Sequence, residues 1–341
     1  MASAVATGLA AAGGTVLGVL RTLLGLVRSL VTRKPFRIDI PLPLLPVDIV
    51  IVQNPAQIQA INKSPACGRL HAVPTSQMPK WVQLYFSATR FHDDRKDTWF
   101  IPFEAEVPAT HAAARRSTIS RLLASGHTQD DVYKVAKIVR AGGDLEKLAD
   151  YLVPMVNSRF IDGKPIPKPA IDAARTALNS IGDAIRPGNY QTAHQGMHEL
   201  GDFCTAAITL PPEQLKPMDV AHNMSAVACS FTKAVLTLKA NPTTPIDQLF
   251  TIPRNLPTPN IPRIAVASST CGDLLAYPTV PNKTIFLLSL ASAAGATKSL
   301  FYTFGSGTPE RSCAFKPFFE AFMSDLQKEL VRQGPPAKKA V

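Results

Sequence analysis

Residues 2–20 carry no charge, and the run 21–37 (RTLLGLVRSLVTRKPFR) sets Arg21, Arg28, Arg33, Lys34 and Arg37 into an otherwise apolar pattern. Leucines and valines between Val16 and Val31 fall on one side of a helix with arginines beside them, which predicts an amphipathic helix lying in a membrane surface. A bilayer-crossing helix needs about 20 strongly apolar residues, and the alanines and glycines here weaken that reading. A helix packed on its own domain is the third. No basic residue precedes the apolar run and no cleavage site ends it, which disfavours a signal peptide. The prolines of Ile40–Pro46 (IPLPLLP) stop helix formation and predict a hinge.

Val47–Val52 (VDIVIV) reads as a β-branched strand. Asn54-Pro55 then caps a helix through Ser64, with Asn54 at the N-cap and Pro55 in the first turn. Apolar positions at three- and four-residue spacing predict helices over 111–124, 128–141, 144–156, 170–185 and 191–208. Asp219–Lys239 is apolar almost all round and is predicted to be a central helix. Strand patterns return at 263–270 and 284–291 among recurrent prolines. A last helix covers Lys316–Arg332, followed by Gly334-Pro335-Pro336. The pattern is α+β and mostly helical. It divides into a membrane-associated segment 1–34, a hinge 35–46, a catalytic domain 47–332 and a basic tail 333–341.

Of the 341 residues, 46% are hydrophobic and 18% charged, so a sizeable core is available and a disordered tail is excluded. The formal net charge of +11 suits an anionic surface. The basic residues lack interleaved aromatics, so nucleic acid is not expected as a partner. Cys67, Cys204, Cys229, Cys271 and Cys313 form no CxxC pair, which argues against a zinc ribbon and a disulfide scaffold. No GxGxxG, Walker or GxSxG motif is present. His194 and His198, four apart near Glu199, Asp202 and Cys204, have spacing for a divalent metal but lack the HExxH order; an exposed polar helix face is the better account.

The most informative stretch is Phe304-Gly305-Ser306-Gly307-Thr308-Pro309-Glu310-Arg311-Ser312-Cys313, running into an aromatic-rich helix. A glycine turn admits a flat ligand close to the backbone, and a cysteine at a helix start has its thiolate stabilised by the helix dipole. A buried structural cysteine is the alternative. This stretch resembles the cytochrome P-450 family of haem-thiolate monooxygenases, whose Phe-x-x-Gly-x-Arg-x-Cys-x-Gly loop carries the proximal thiolate. Pro108–Arg116 resembles the family's His-x-x-x-Arg helix, Val47–Pro65 its first strand and helix, Asp219–Leu238 its long central helix, and Val280–Leu290 the strand before the thiolate loop.

The resemblance implies a shortened P-450-like fold binding haem b, with Cys313 as iron ligand. It further implies His111, Arg115 and Arg311 on the propionates and Phe304 beside the cofactor. On the central helix, His222, Asn223 and Ser225 would occupy the place of the family's acid-alcohol pair. The departures are specific. Two residues are added between Gly307 and Arg311, and Phe315 stands where the family has glycine. Thr251 replaces the glutamate three before Arg254, and little chain lies between Leu290 and Phe304, where members dock redox partners. Asn223 is an amide, which cannot relay protons as a carboxylate does. An amide there is similar to members that rearrange fatty-acid hydroperoxides.

The expected function is thus oxidation or rearrangement of an apolar small molecule, a lipid or specialised metabolite, at the cytoplasmic face of a membrane, the endoplasmic reticulum in a eukaryote. Dioxygen with a redox partner, or a peroxide, would be the oxidant. The alternatives are a haem-free P-450-like scaffold at a membrane and an unrelated membrane-surface helical protein.

Overall fold

The computed structural model describes residues 35–38, 49–64, 67–68, 92–93, 98–99, 126–161, 163–182, 187–211, 215, 217–252, 260–265, 285–299, 313 and 315–332, and parts of 20–32 and 117–124. In chain order the elements are β1 (Phe36–Ile38), β2 (Ile49–Val52), α1 (Pro55–Lys63), β3 (Cys67–Gly68), β4 (His92–Asp93), β5 (Thr98–Trp99), α2 (Gln129–Arg140) and α3 (Leu145–Asn157). They continue with a 3-10 turn (Ser158–Phe160), α4 (Lys168–Gly182), α5 (Pro187–Ala207), α6 (Pro217–Ala226), a π-helical turn (Val227–Phe231), α7 (Thr232–Ala240) and α8 (Ile246–Leu249). The last are β6 (Asn260–Ala265), β7 (Ile285–Ser289), α9 (Leu290–Thr297) and α10 (Lys316–Arg332). The chain divides into two units, Met1–Met78 with Thr258–Ser312, and Pro79–Pro257 with Cys313–Val341.

The first unit holds a five-stranded sheet in the order β1-β2-β7-β6-β3. β2 and β7 pair in parallel, Ile49 opposite Ile285 through Val52 opposite Leu288, and β6 lies antiparallel to β7. Pro262 lacks an N–H, but β3 pairs only with Ile264 and Ala265 of β6, so the proline breaks no ladder on that side. Val50, Val52, Phe286 and Leu288 are buried, and with Ile58, Ile61, Leu290, Ala293 and Ala294 they make this unit's core. Asn54 starts α1 as its sequence predicts: its side chain accepts from the N–H groups of Ala56 (2.9 Å) and Gln57 (3.3 Å). The segment read as a hinge contains β1, paired with β2. Helix α9 fills the short stretch after Leu290.

The described residues between 20 and 32 are helical, and Leu20, Leu23, Leu24, Val27 and Val31 are each at least half exposed. Among the described residues no helix is long and apolar enough to cross a membrane.

Among the described residues, the regular elements of the second unit are helical apart from the β4–β5 pair. Thr128 and Asp131 form a capping box at the start of α2, and Asp144 caps α3 by accepting from Lys147 N–H at 3.0 Å. Helices α4 and α5 approach closely at Gly196: a Cβ there would meet the Ala173 carbonyl oxygen at 3.0 Å. The predicted central helix exists as α6, the π turn and α7 in succession, with Met218, Val220, Ala221, Met224, Val227, Ala228, Phe231, Val235 and Leu238 buried. Burial on several sides explains its all-round apolar pattern. The predicted helix over 111–124 lies largely outside the described residues, as does Arg254.

Candidate active site

Cys313 stands exposed at the N-terminal end of α10, its carbonyl accepting from Lys316 N–H at 3.3 Å. Cys313 lies three positions before the first residue of the 17-residue α10, the end at which a helix dipole is positive. Cys204 and Cys229 are buried instead, and burial pushes the Cys204 thiol well up. Exposure and helix position together separate Cys313 from both as the thiol able to ligate a metal.

An aromatic cluster fixes where α10 begins. Phe315 lies edge-on to Phe231 of the π turn at 5.2 Å between ring centroids and contacts Phe318 at 5.1 Å. Phe231 also meets Phe319 and Phe322, and Arg159 sits over the Phe318 ring at 5.4 Å. The residue standing in place of the family's glycine is therefore a packing residue that docks the cysteine-bearing end of α10 on the central helix. Further along α10, His127 Nε2 meets Asp325 Oδ2 at 3.0 Å, Gln327 donates to the carbonyls of Pro242 and Thr244, and Arg140 donates to the Leu330 carbonyl. Such multiple anchoring resists sliding of the helix.

The three polar residues expected on the central helix all fall in α6, six to nine positions before Phe231. Burial holds the His222 imidazole down to about 4, so it is neutral at physiological pH. Asn223 Nδ2 donates to Asn157 Oδ1 at 2.7 Å, and Asn157 Nδ2 donates to the Val153 carbonyl at 3.0 Å. Ser225 is fully buried and its Oγ has no hydrogen-bond partner among the described residues. A buried hydroxyl without a partner is costly in a finished core.

The π turn follows directly, and π bulges often accompany functional sites. Neither it nor Asn157 was identified from the sequence. Asn157 had a signal, an amide four residues after Val153 on the buried stripe of α3, whereas the π turn depends on tertiary packing. His111, Arg115, Phe304 and Arg311 lie outside the described residues. His194 and His198 sit ring against ring at 4.1 Å, and among the described residues no group of three or more His, Cys, Asp or Glu is placed to hold a metal.

The structure resembles that of cytochrome P450EX alpha with myristic acid, at TM-score 0.61 and 11% identity over 92% of this chain and 88% of that one. It also resembles P450BioI in complex with acyl carrier protein ligated to hexadec-9Z-enoic acid, at TM-score 0.57 and 13% identity over 85% and 86%. The chain has the cytochrome P450 fold. A third P450, PksS of the Bacillus subtilis bacillaene polyketide synthase, matches at TM-score 0.55 and 14% identity over 93% and 89%. No protein-family model matches the chain, and no curated protein matches it. This P450 fold is α+β and mostly helical, as the sequence pattern predicts. The cofactor such a fold implies is haem, and Cys313, an exposed thiol before a helix docked on the central helix through Phe315 and Phe231, is a residue that could hold its iron.

Proposed function

We propose that this protein is a haem-thiolate oxidoreductase acting on an aliphatic lipid, with Cys313 as the iron ligand. The observation that carries the reading is the exposed Cys313 at the start of α10, docked on the central helix through Phe315 and Phe231 within a P450 fold. Held by Cys313, haem b would supply an iron centre whose thiolate ligand favours O–O bond cleavage. Cys313 would hold the iron, and the aromatic cluster of Phe315, Phe231 and Phe318 docks the start of α10 that follows it. His111, Arg115 and Arg311 would pair with the propionates, with Phe304 beside the ring.

On the central helix the chain offers a neutral imidazole, an amide and a hydroxyl. None of the three is an acid able to deliver protons to reduced dioxygen near pH 7. A hydroperoxide carries its own oxidising equivalents and removes the need for an electron donor, so peroxide-dependent chemistry is the favoured form. Two neighbours carry a fatty acid and a fatty acyl carrier protein in their descriptions, which supports an acyl chain as substrate. The test is an absorption spectrum of protein expressed with a haem precursor, before and after reduction under carbon monoxide, alongside Cys313→Ala. A thiolate-type Soret shift lost in the variant is expected. Wild-type protein without bound haem overturns this reading and leaves a haem-free lipid-binding scaffold.

We also propose that residues 20–32 rest in an anionic membrane surface on the cytoplasmic face. Leu20, Leu23, Leu24, Val27 and Val31 span an arc of about 100° at helical spacing, with Arg28 exposed at the flank. No acidic residue precedes Asp39, so charge repulsion does not oppose this contact.

A further inference from the structure

The Asn157–Asn223 pair has only one workable arrangement of its amides. Asn157 is fully buried, and its Nδ2 is committed to the Val153 carbonyl one turn back. Reversing that amide would set oxygen against oxygen, so Asn157 must turn Oδ1 toward α6. Asn223 meets it with Nδ2 at 2.7 Å. The half-buried Asn223 therefore keeps its own Oδ1 as a spare acceptor, and among the described residues nothing donates to it.

We propose that Asn157 is a positioning residue: by holding the Asn223 amide nitrogen it leaves the Asn223 carbonyl oxygen as the acceptor offered to a ligand. The group received there is an O–H donor, a hydroxyl or a hydroperoxide, in preference to an ether, ester or carboxylate. This rests on the proposed placing of Asn223 at the substrate. Asn157 acts through Asn223 and does not itself touch the ligand.

The experiment uses the haem-replete full chain and two probes of equal chain length, myristyl alcohol and its methyl ether, with dissociation constants from calorimetry. Wild-type protein is expected to favour the alcohol by about fivefold to tenfold, the worth of one net hydrogen bond. Asn157→Leu removes the acceptor that orients Asn223 and should bring the ratio near one. Asn157→Asp, protonated by burial, can both donate to Val153 and accept from Asn223, and should keep the preference. A general loss of packing would affect both probes alike and would not be rescued by aspartate. Asn223→Ala should also erase the preference.

Equal binding of the two probes by wild type, or a preference that survives Asn157→Leu, overturns the proposal. Should Asn157→Leu fail to melt cooperatively, the other two variants decide: a preference lost in Asn157→Asp or kept in Asn223→Ala overturns it. The carbon monoxide spectrum on the same samples separates this outcome from failure of the haem assignment.

Discussion

His222 shows how one side chain's surroundings become a property of the whole protein. Burial depresses its imidazole from 6.5 to about 4. Between those values the unfolded chain binds a proton that the folded chain refuses, so stability is complete above about pH 6.5 and falls as pH drops toward 4. The loss amounts to at most about 3 kcal/mol. Asp131, Asp144, Glu146 and Asp325 are held below their ordinary values, largely by hydrogen bonds that outweigh burial where it opposes them, so their losses begin at lower pH. Melting temperatures of wild type and His222→Gln between pH 7 and 5 should therefore diverge, with the variant the less pH-sensitive. Parallel curves would refute the buried-neutral assignment. At this scale Cys313 was legible from the sequence because a cysteine directly before an amphipathic helix is a local pattern. Asn157 was missed because its role depends on a partner 66 positions away.

Among the elements, α10 and the central helix carry the candidate residues and pack on each other through Phe315 and Phe231. The strict pattern of α10 announced its limits, and the structure returns Lys316–Arg332 unchanged. The contact that places its start, Phe315 on Phe231, joins residues more than 80 positions apart and has no periodic signature. Phe315→Gly restores the residue the P-450 motif carries, yet it should destabilise this chain by about 2 kcal/mol through lost packing and added backbone freedom. Chemical denaturation measures this; an unchanged or raised midpoint would show the cluster to be dispensable. The close crossing of α4 and α5 gives a second test. Gly196→Val forces a side chain against the Ala173 carbonyl and should cost about 1–3 kcal/mol, read as a lowered melting temperature.

For the molecule as a whole, removing residues 1–34 should abolish co-sedimentation with anionic vesicles while the carbon monoxide spectrum stays as in the full chain. Retained sedimentation would place lipid binding elsewhere. The sequence by itself determined the longer helices and the strands β2 and β7, because 3.6- and 2-residue periodicities and capping residues such as Asn54 and Thr128 act over a few positions. The short strands β1, β3, β4 and β5 and the helices α8 and α9 carry no such signal. The sequence also determined, by ordered resemblance, the P450 fold. Only the tertiary structure decided the parallel pairing of β2 with β7, more than 230 positions apart, the π turn, the aromatic docking of α10 and the direction of the Asn223 amide. Each of these is a pairing of groups distant in the chain, and its energy exists only once the surrounding core has excluded water and fixed both partners.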